Sequence, residues 1–136
     1  MKAVVVGCGR VGSALAKELD RAKWDVAVVD EREEALDRLG ERWRGGFVLG
    51  HGMDTEVLER AGMAEADVVV VATDGDNTNV VVAQIARERY GVERVVARIL
   101  DPARAEFYGG QGFDVVSPTK IAIDQLKRWV FKEDDR

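Results

Sequence analysis

The sequence is poor in cysteine and proline, and its composition excludes several classes of protein. Among 136 residues there are 1 cysteine and 2 prolines, and 7% are aromatic. A single cysteine, Cys8, cannot form an internal disulfide or a cysteine-built metal site, and it fits a reducing compartment. With 46% hydrophobic residues, the composition is also unlike that of disordered or collagen-like chains. What remains is an ordinary globular protein.

Long apolar runs are missing too. None approaches the ~20 residues that a membrane-spanning helix requires, and the sequence opens on a strand pattern rather than a signal peptide. We therefore expect a cytoplasmic protein without direct membrane insertion. The formal net charge of -5 argues against nucleic acid as a partner, because phosphate backbones attract basic surfaces.

Short apolar runs alternate regularly with helical patterns. The runs cover residues 2–6, 25–30, 47–50, 67–73, 93–99 and 114–117. Between them, hydrophobic residues recur at helical spacing, as in the set Ala35, Leu36, Leu39, Trp43 and the set Val80, Val81, Ile85, Ala86. Such alternation predicts an α/β protein: a Rossmann-type doubly wound sheet of about six parallel strands with helices on both faces. Residues 1–136 form one domain in this interpretation.

Helix ends support the same organisation. Gly62 and Gly91 stand where helices should stop, and Ser117 followed by Pro118 is a typical helix start. The last helix, about residues 119–132, carries hydrophobic residues on more than one face. It is either a core helix closing the sheet, or a crossover or dimer-contact helix that packs on another subunit or on a further lobe.

A glycine-rich loop follows the first strand and opens the first helix. Its residues are Gly7, Cys8, Gly9, Arg10, Val11 and Gly12, which fit the G-x-G-x-x-G pattern. Gly7 permits a tight turn, Gly9 leaves room for a pyrophosphate, and Gly12 allows close helix–strand packing. Backbone N–H groups at the helix N-terminus then bind the phosphates. Arg10 is expected to stack over the ligand or contact its phosphates, the alternative being a solvent-exposed arginine at a helix start. Cys8 is either an acidified thiol or a small residue filling the loop.

An acidic residue completes this pattern at the end of the second strand. Asp30 lies near the expected ~20 residues after the glycines, where a carboxylate binds the adenosine ribose hydroxyls. It favours NAD(H) or ATP/ADP over a ligand with a 2′-phosphate, although Arg32 could accept such a phosphate. Asp74 and Asp76 could hold a cation, but turn and N-cap chemistry before the next helix is the preferred interpretation.

Taken together, these motifs resemble those of a known family. The sequence is similar to the N-terminal nucleotide-binding domain of regulatory proteins of bacterial Trk and Ktr potassium uptake systems, also found as the conductance-regulating (RCK) domain of potassium channels. The matching elements are the glycine loop, Asp30, Gly50, residues 58–67, Thr73 with Asp76 and Asn79, Ala97 with Arg98, and residues 112–118. Relatives usually continue into a second, smaller ligand-binding lobe.

The resemblance implies roles for residues at the ends of later strands. Gly50, His51 and Gly52 would flank the adenine, Thr73 and the following loop would line the crevice, and Arg98 would face phosphates, including those of a ligand held across a dimer interface. Three features depart from the family: His51 and Arg32 stand where acidic or amide residues are common, and residues 117–120 lack a carboxylate used near a divalent ion. The predicted cofactor site comprises Gly7, Cys8, Gly9, Arg10, Val11, Gly12, Asp30, Glu31, Arg32, Gly50, His51, Gly52, Thr73, Asp74, Asn79 and Arg98, with no metal ligands.

The function expected from these observations is regulation rather than catalysis. The chain would sense NAD(H) or ATP/ADP/AMP and control a membrane potassium transporter, as a homodimer or higher ring on the inner face of the membrane. The rival interpretation is the cofactor half of a small NAD-dependent oxidoreductase, but no Tyr-x-x-x-Lys pair and no histidine with an orienting partner is evident. A third interpretation is a nucleotide-binding assembly scaffold.

Overall fold

Six parallel strands form the centre of the molecule. The computed structural model describes residues 1–132, and within them the strands are β1 Lys2–Val6, β2 Asp25–Asp30, β3 Gly46–Leu49, β4 Val68–Val71, β5 Arg94–Arg98 and β6 Asp114–Val116. The sheet order is β3-β2-β1-β4-β5-β6, and every neighbouring pair is parallel. The predicted Rossmann-type fold is thereby confirmed.

Helices connect the strands and cover the sheet. The α-helices are α1 Arg10–Arg21, α2 Thr55–Arg60, α3 Asp76–Gln84, α4 Pro102–Tyr108 and α5 Pro118–Val130. Two 3₁₀ helices, Glu33–Leu39 and Met63–Glu65, and a π-helical turn, Ile85–Arg89, complete the connections. No helix among residues 1–132 is both long enough and apolar enough to cross a membrane.

Burial on both faces explains the continuously apolar strands. Val4 and Val6 of β1 belong to the larger core with α2 and α3, whereas Val5 points into a smaller core with Ala16 of α1. Successive side chains point to opposite faces of the sheet, so every position of a strand covered on both faces is buried and favours an apolar residue. Each fully buried valine stabilises the fold by roughly 1.5–3 kcal/mol.

The predicted helix boundaries are confirmed where a side chain or a glycine fixes them. The backbone N–H of Lys120 donates to Ser117 Oγ at 3.2 Å, and Pro118 occupies the first helical turn. Gly62 and Gly91 have φ angles of 88° and 66°, the left-handed region that glycine adopts without strain.

Two local predictions are wrong. The pattern from Ala35 to Trp43 does not form one helix: a 3₁₀ helix ends at Leu39, Gly40 turns the chain at φ 82°, and Trp43 packs on the smaller core from a separate loop. Asp76 is not an N-cap, because Gly75 holds that position. Instead, the Asp76 carboxylate accepts hydrogen bonds from the backbone N–H groups of Leu100 and Asp101, at 2.8 and 3.1 Å.

Helix α5 stands apart from the cores. None of its residues is buried, so within residues 1–132 it is not the core helix that one interpretation of the sequence expected. Its hydrophobic side chains lie at the surface, namely Ile121, Ile123, Leu126, Trp129 and Val130. The adjoining Phe131 is exposed as well. An apolar surface of this kind on one helix is typical of a contact with another polypeptide.

Candidate functional site

A cleft of about 610 Å³ opens at the carboxyl ends of the strands. It is lined by the loops that follow β1, β2, β3 and β4, and by Arg98 at the end of β5. Strand β1 lies between β2 and β4, so the connection after β1 runs to one side of the sheet, and the connection after β3 crosses to β4 on the other side. Open α/β sheets bind ligands at such a position, and the volume is within the range of small-molecule sites.

Two glycines of the first loop are required by the protein itself. Gly7 has a φ of 106°, and a Cβ there would come within 2.5 Å of the carbonyl oxygen of Ala72 at the end of β4. A Cβ on Gly12 would collide with the carbonyl oxygen of Gly7. These contacts hold the start of α1 close to the sheet, as the sequence predicted for both positions.

Gly9 is different, because nothing in the protein demands a glycine there. Its φ is -82°, which any residue adopts, and the nearest side-chain atom to a Cβ would be Arg38 Nη1 at 3.7 Å, an ordinary contact. Gly9 is the N-cap of α1 but supplies no side-chain acceptor, and within residues 1–132 none is found for the N–H groups of Arg10 and Val11. The open space and the free donors together fit a phosphate group.

Asp30 connects the second strand to the glycine loop. One carboxylate oxygen accepts the backbone N–H of Cys8 at 2.8 Å, and the other accepts that of Arg32 at 2.8 Å. The carboxylate lines the cleft, and each oxygen keeps a lone pair for a further donor. Asp30 can therefore hold the loop and bind ribose hydroxyls at once.

Cys8 is a structural residue of the loop. It is 1% exposed, and its Sγ donates to the carbonyl oxygen of Ala35 at 3.3 Å. Burial raises the pKa of the Cys8 thiol, and the neighbouring Asp30 carboxylate raises it further. Of the two interpretations offered by the sequence, the geometry supports the small buried residue and not the acidified thiol.

A hydrogen-bond network ties the ends of β4 and β5 together around Asn79. The buried Asn79 amide donates to the carbonyl oxygens of Thr73 and Arg98, at 3.1 and 2.8 Å, and its oxygen accepts the Thr73 N–H at 3.0 Å. Arg98 Nη2 donates to the carbonyl oxygen of Thr73 at 2.7 Å and lies 3.6 Å from Asp74 Oδ1. Thr73 and Arg98 thus present fixed backbone and guanidinium groups to the cleft, and Asn79 positions both.

The far end of the cleft is formed by the loop after β3. A Cβ on Gly50 would collide with Val57, and one on Gly52 would come within 2.7 Å of Val6 Cγ1, so both glycines permit close packing. Between them, His51 Nε2 lies 3.4 Å from Glu31 Oε2, and His51 Nδ1 accepts the N–H of Met53 at 3.1 Å. This contact joins the loops after β2 and β3.

The structure brings most of the predicted site residues to one cleft. Those lining it are Gly7, Cys8, Gly9, Arg10, Asp30, Glu31, Arg32, Gly50, His51, Gly52, Thr73, Asp74 and Arg98. Val11, Gly12 and Asn79 do not line it; Val11 is on the outer surface of α1, and the other two lie behind the loops. Gly75 belongs to the loop after Thr73 that the sequence predicted to line the cleft, whereas the lining residues Val6, Val29, Glu34, Ala35, Arg38, Ala72 and Thr78 were not singled out.

The cleft lining carries four arginines and four carboxylates, so its formal charge is balanced, but three of the arginines have no close acidic partner among the described residues. Among residues 1–132, no carboxylate oxygen lies within 4.0 Å of Arg10, Arg32 or Arg38. The same part of the chain contains no cluster of 3 or more histidine, cysteine and acidic side chains able to hold a metal. Free guanidinium groups beside free backbone donors suit an anionic ligand such as a nucleotide.

Comparison with known sequences gives a consistent match. The TrkA-N domain model matches residues 3–118. The Trk system potassium uptake protein TrkA of Streptomyces coelicolor is 44% identical over 128 residues, which cover 94% of this chain and 57% of that protein. The chain therefore spans just over half the length of this relative.

Solved structures agree on the fold. The TrkA-N domain of the inner membrane protein ybaL from Escherichia coli superposes with a TM-score of 0.79 at 24% identity, covering 93% of this chain and 94% of that one. The GsuK channel bound to NAD gives 0.77 at 26% identity, over 93% of this chain and 22% of that one. GsuK bound to ADP gives 0.77 at 25% identity, over 97% and 34%.

Proposed function

This chain belongs to the TrkA-N domain family, and from that membership we propose that it is the nucleotide-binding regulatory domain of a potassium uptake system. The observation that carries the proposal is the space above Gly9, which the protein leaves open beside the free N–H groups of α1 and the Asp30 carboxylate. The proposed ligand is NAD(H) or ATP/ADP. Solved forms of the GsuK channel bound to NAD and to ADP support this choice, and the name of the Streptomyces coelicolor relative supports potassium uptake.

Regulation requires that the ligand distinguish two arrangements of the assembly. A nucleotide that binds both arrangements equally shifts nothing, however tightly it binds. In our proposal Arg98 provides the distinction. It is anchored to the Thr73 carbonyl and Asp74, and additional ligand phosphates would compete for its guanidinium group.

The assembly that we propose is a homodimer or higher ring formed through α5. This helix buries none of its own residues and exposes Leu126 and Trp129 at 65% and 72%. A second copy would cover this apolar surface, and the membrane transporter would bind the assembly at the inner face of the cell membrane. The alternative of an oxidoreductase half has no observation of its own in its favour.

Titration calorimetry with NADH, NAD, ATP, ADP and AMP tests the proposal, followed by light scattering with and without the tightest ligand. We expect at least one nucleotide to bind and to change the size or shape of the assembly. If none of the five binds, the proposal is wrong. If binding occurs but a test substrate accepts a hydride from NADH, the oxidoreductase alternative replaces it.

A further inference from the structure

Arg38 reaches the glycine loop from an element outside the nucleotide-binding motif. It is carried by the 3₁₀ helix Glu33–Leu39, whose Ala35 and Leu39 are buried in the smaller core. These two anchors fix the helix beside the first loop. Arg38 Nη1 donates to the carbonyl oxygen of Cys8 at 3.4 Å, a long and therefore weak hydrogen bond.

The Arg38 guanidinium group lies beside the open space above Gly9. Among residues 1–132, and leaving aside Gly9 and its two neighbours in the chain, only Arg38 Nη1 comes within 4 Å of the place where a Gly9 Cβ would stand, at 3.7 Å. The start of α1 borders the same space with the unpartnered N–H groups of Arg10 and Val11. An anion seated over Gly9 would thus meet backbone donors on one side and a guanidinium group on the other.

Arg38 has no ion-pair partner among the described residues. No carboxylate among residues 1–132 lies within 4.0 Å of it, although the chain carries 25 acidic residues against 20 basic ones. Apart from the weak hydrogen bond to the Cys8 carbonyl, the guanidinium group keeps its donors for charge-assisted hydrogen bonds to an anion beside the glycine loop.

We propose that Arg38 is a phosphate-binding residue that selects ligands containing an adenosine diphosphate group, which NAD, ADP and ATP share and AMP lacks. The inference rests on the proposed nucleotide-binding function and specifies its ligand class. A planar guanidinium group can donate to two neighbouring oxygens. In this proposal one phosphate of a diphosphate meets the N–H groups at the start of α1 and the other meets Arg38, whereas the single phosphate of AMP is held by the α1 N-terminus and engages Arg38 less.

A structural role is the alternative explanation, since Arg38 also touches the Cys8 carbonyl. The two roles differ in what they predict for a ligand without phosphate. If Arg38 only shaped the loop, its loss would weaken adenosine and ADP by the same factor. If it binds the diphosphate, adenosine affinity is unaffected.

Calorimetric titration of ADP, AMP and adenosine into the full chain, Arg38→Ala, Arg38→Lys and Arg42→Ala tests the inference. Arg42 is an exposed arginine on the neighbouring loop, outside the cleft. The Arg42→Ala substitution removes the same charge as Arg38→Ala and serves as the control. We expect Arg38→Ala to weaken ADP about tenfold or more, AMP by a smaller factor and adenosine not at all. Arg38→Lys should recover part of the ADP affinity, and Arg42→Ala should change none of the three.

Four results would overturn the inference: unchanged ADP affinity in Arg38→Ala, equal losses for ADP and AMP, a parallel loss for adenosine, or the same losses in Arg42→Ala. Binding of ADP that is insensitive to Arg38 would leave the proposed function standing. Failure of the unaltered chain to bind ADP, AMP and adenosine would overturn the inference, and failure to bind NADH, NAD and ATP as well would overturn the proposed function.

Discussion

The Asp30 carboxylate accepts the backbone N–H of Cys8 at 2.8 Å. This hydrogen bond joins the end of β2 to the loop after β1 and fixes the distance between Asp30, the proposed ribose-binding residue, and the glycine loop, the proposed phosphate-binding segment. The residue expected to recognise the sugar is thus also the one that holds the phosphate loop in place.

Replacing Asp30 with alanine should weaken all adenosine ligands by a similar factor, about tenfold or more, because the lost group faces the part that they share. Calorimetry with adenosine, ADP and NADH measures these factors. The N–H groups of Cys8 and Arg32 also lose their acceptor, which should lower the free energy of unfolding by about 1–3 kcal/mol. A loss restricted to ligands with phosphates would contradict the ribose assignment.

Gly9→Ala should abolish nucleotide binding while leaving the fold intact. The methyl group would occupy the open space above the loop but touch only Arg38 Nη1 at 3.7 Å, so the free energy of unfolding should change by less than about 1 kcal/mol. Urea unfolding and ADP titration measure the two effects.

Gly46→Ala is a matched control for this substitution. Gly46 lies in β3 outside the cleft, and its nearest contact would also be at 3.7 Å, with Ala27 Cβ. The Gly46→Ala variant should bind ADP with the affinity of the unaltered chain. Normal binding by Gly9→Ala as well would show that the space above the loop does not hold the phosphates.

Arg98→Ala should weaken ligands in proportion to their phosphates, with ATP and ADP losing more affinity than AMP. The side chain is 17% exposed and already bound to Thr73, so it is held ready at the cleft wall. Arg94→Ala, at the exposed opposite end of β5, should change no affinity. Equal losses for the three nucleotides would count against the phosphate role of Arg98.

The Cys8 thiol should resist ionisation in the folded protein. Its ordinary pKa is 9.0, and burial followed by the Asp30 carboxylate raises it. Above about pH 9 the unfolded chain loses this proton while the folded chain keeps it, so the free energy of unfolding should fall with rising pH by at most about 1.4 kcal/mol per pH unit. Below pH 8 the contribution should be constant.

Urea unfolding of the unaltered chain and of Cys8→Ala from pH 7 to pH 10 isolates this effect. The difference in stability between them should shrink only at the alkaline end. A thiol reagent should also modify Cys8 much faster in urea than in buffer. A stability difference that is constant up to pH 10, or equal modification rates, would disprove the protected thiol.

Trp129→Glu should disrupt the proposed assembly through α5 without unfolding the domain, because the side chain is 72% exposed. Sedimentation over a range of concentrations should show a weaker association than for the unaltered chain. Gln125→Glu adds the same charge at another exposed position of α5 and should associate more strongly than Trp129→Glu. A monomeric unaltered chain would refute the α5 interface.

Sequence patterns predicted the sheet well because its strands are buried on both faces. Runs such as that around Val69 leave no alternative to a covered parallel strand. The roles of Gly7 and Gly12 could also be predicted, because they depend on the backbone geometry of the glycine-rich motif itself. Local physics determines these features.

Long-range contacts were harder to predict. Asp76 has the spacing of an N-cap, yet its carboxylate binds the loop after β5, a contact that no local pattern indicates. Arg38 looked like any polar residue on an exposed helix face, and only the return of the 3₁₀ helix towards Cys8 makes it a cleft residue. Arg38 lies one helical turn after Ala35, but the contact of Ala35 with Cys8 is visible only in the structure, so no sequence pattern indicated a place in the cleft.

The walls of the cleft are formed by loops that are distant in sequence, from Gly9 to Arg98. A ligand bound there would act as a cross-link between the two halves of the sheet, and it would bind only the folded chain. At a concentration 100 times its Kd, such a ligand adds about 2.7 kcal/mol to the free energy of unfolding. The stability of the folded domain would then rise and fall with the concentration of its ligand.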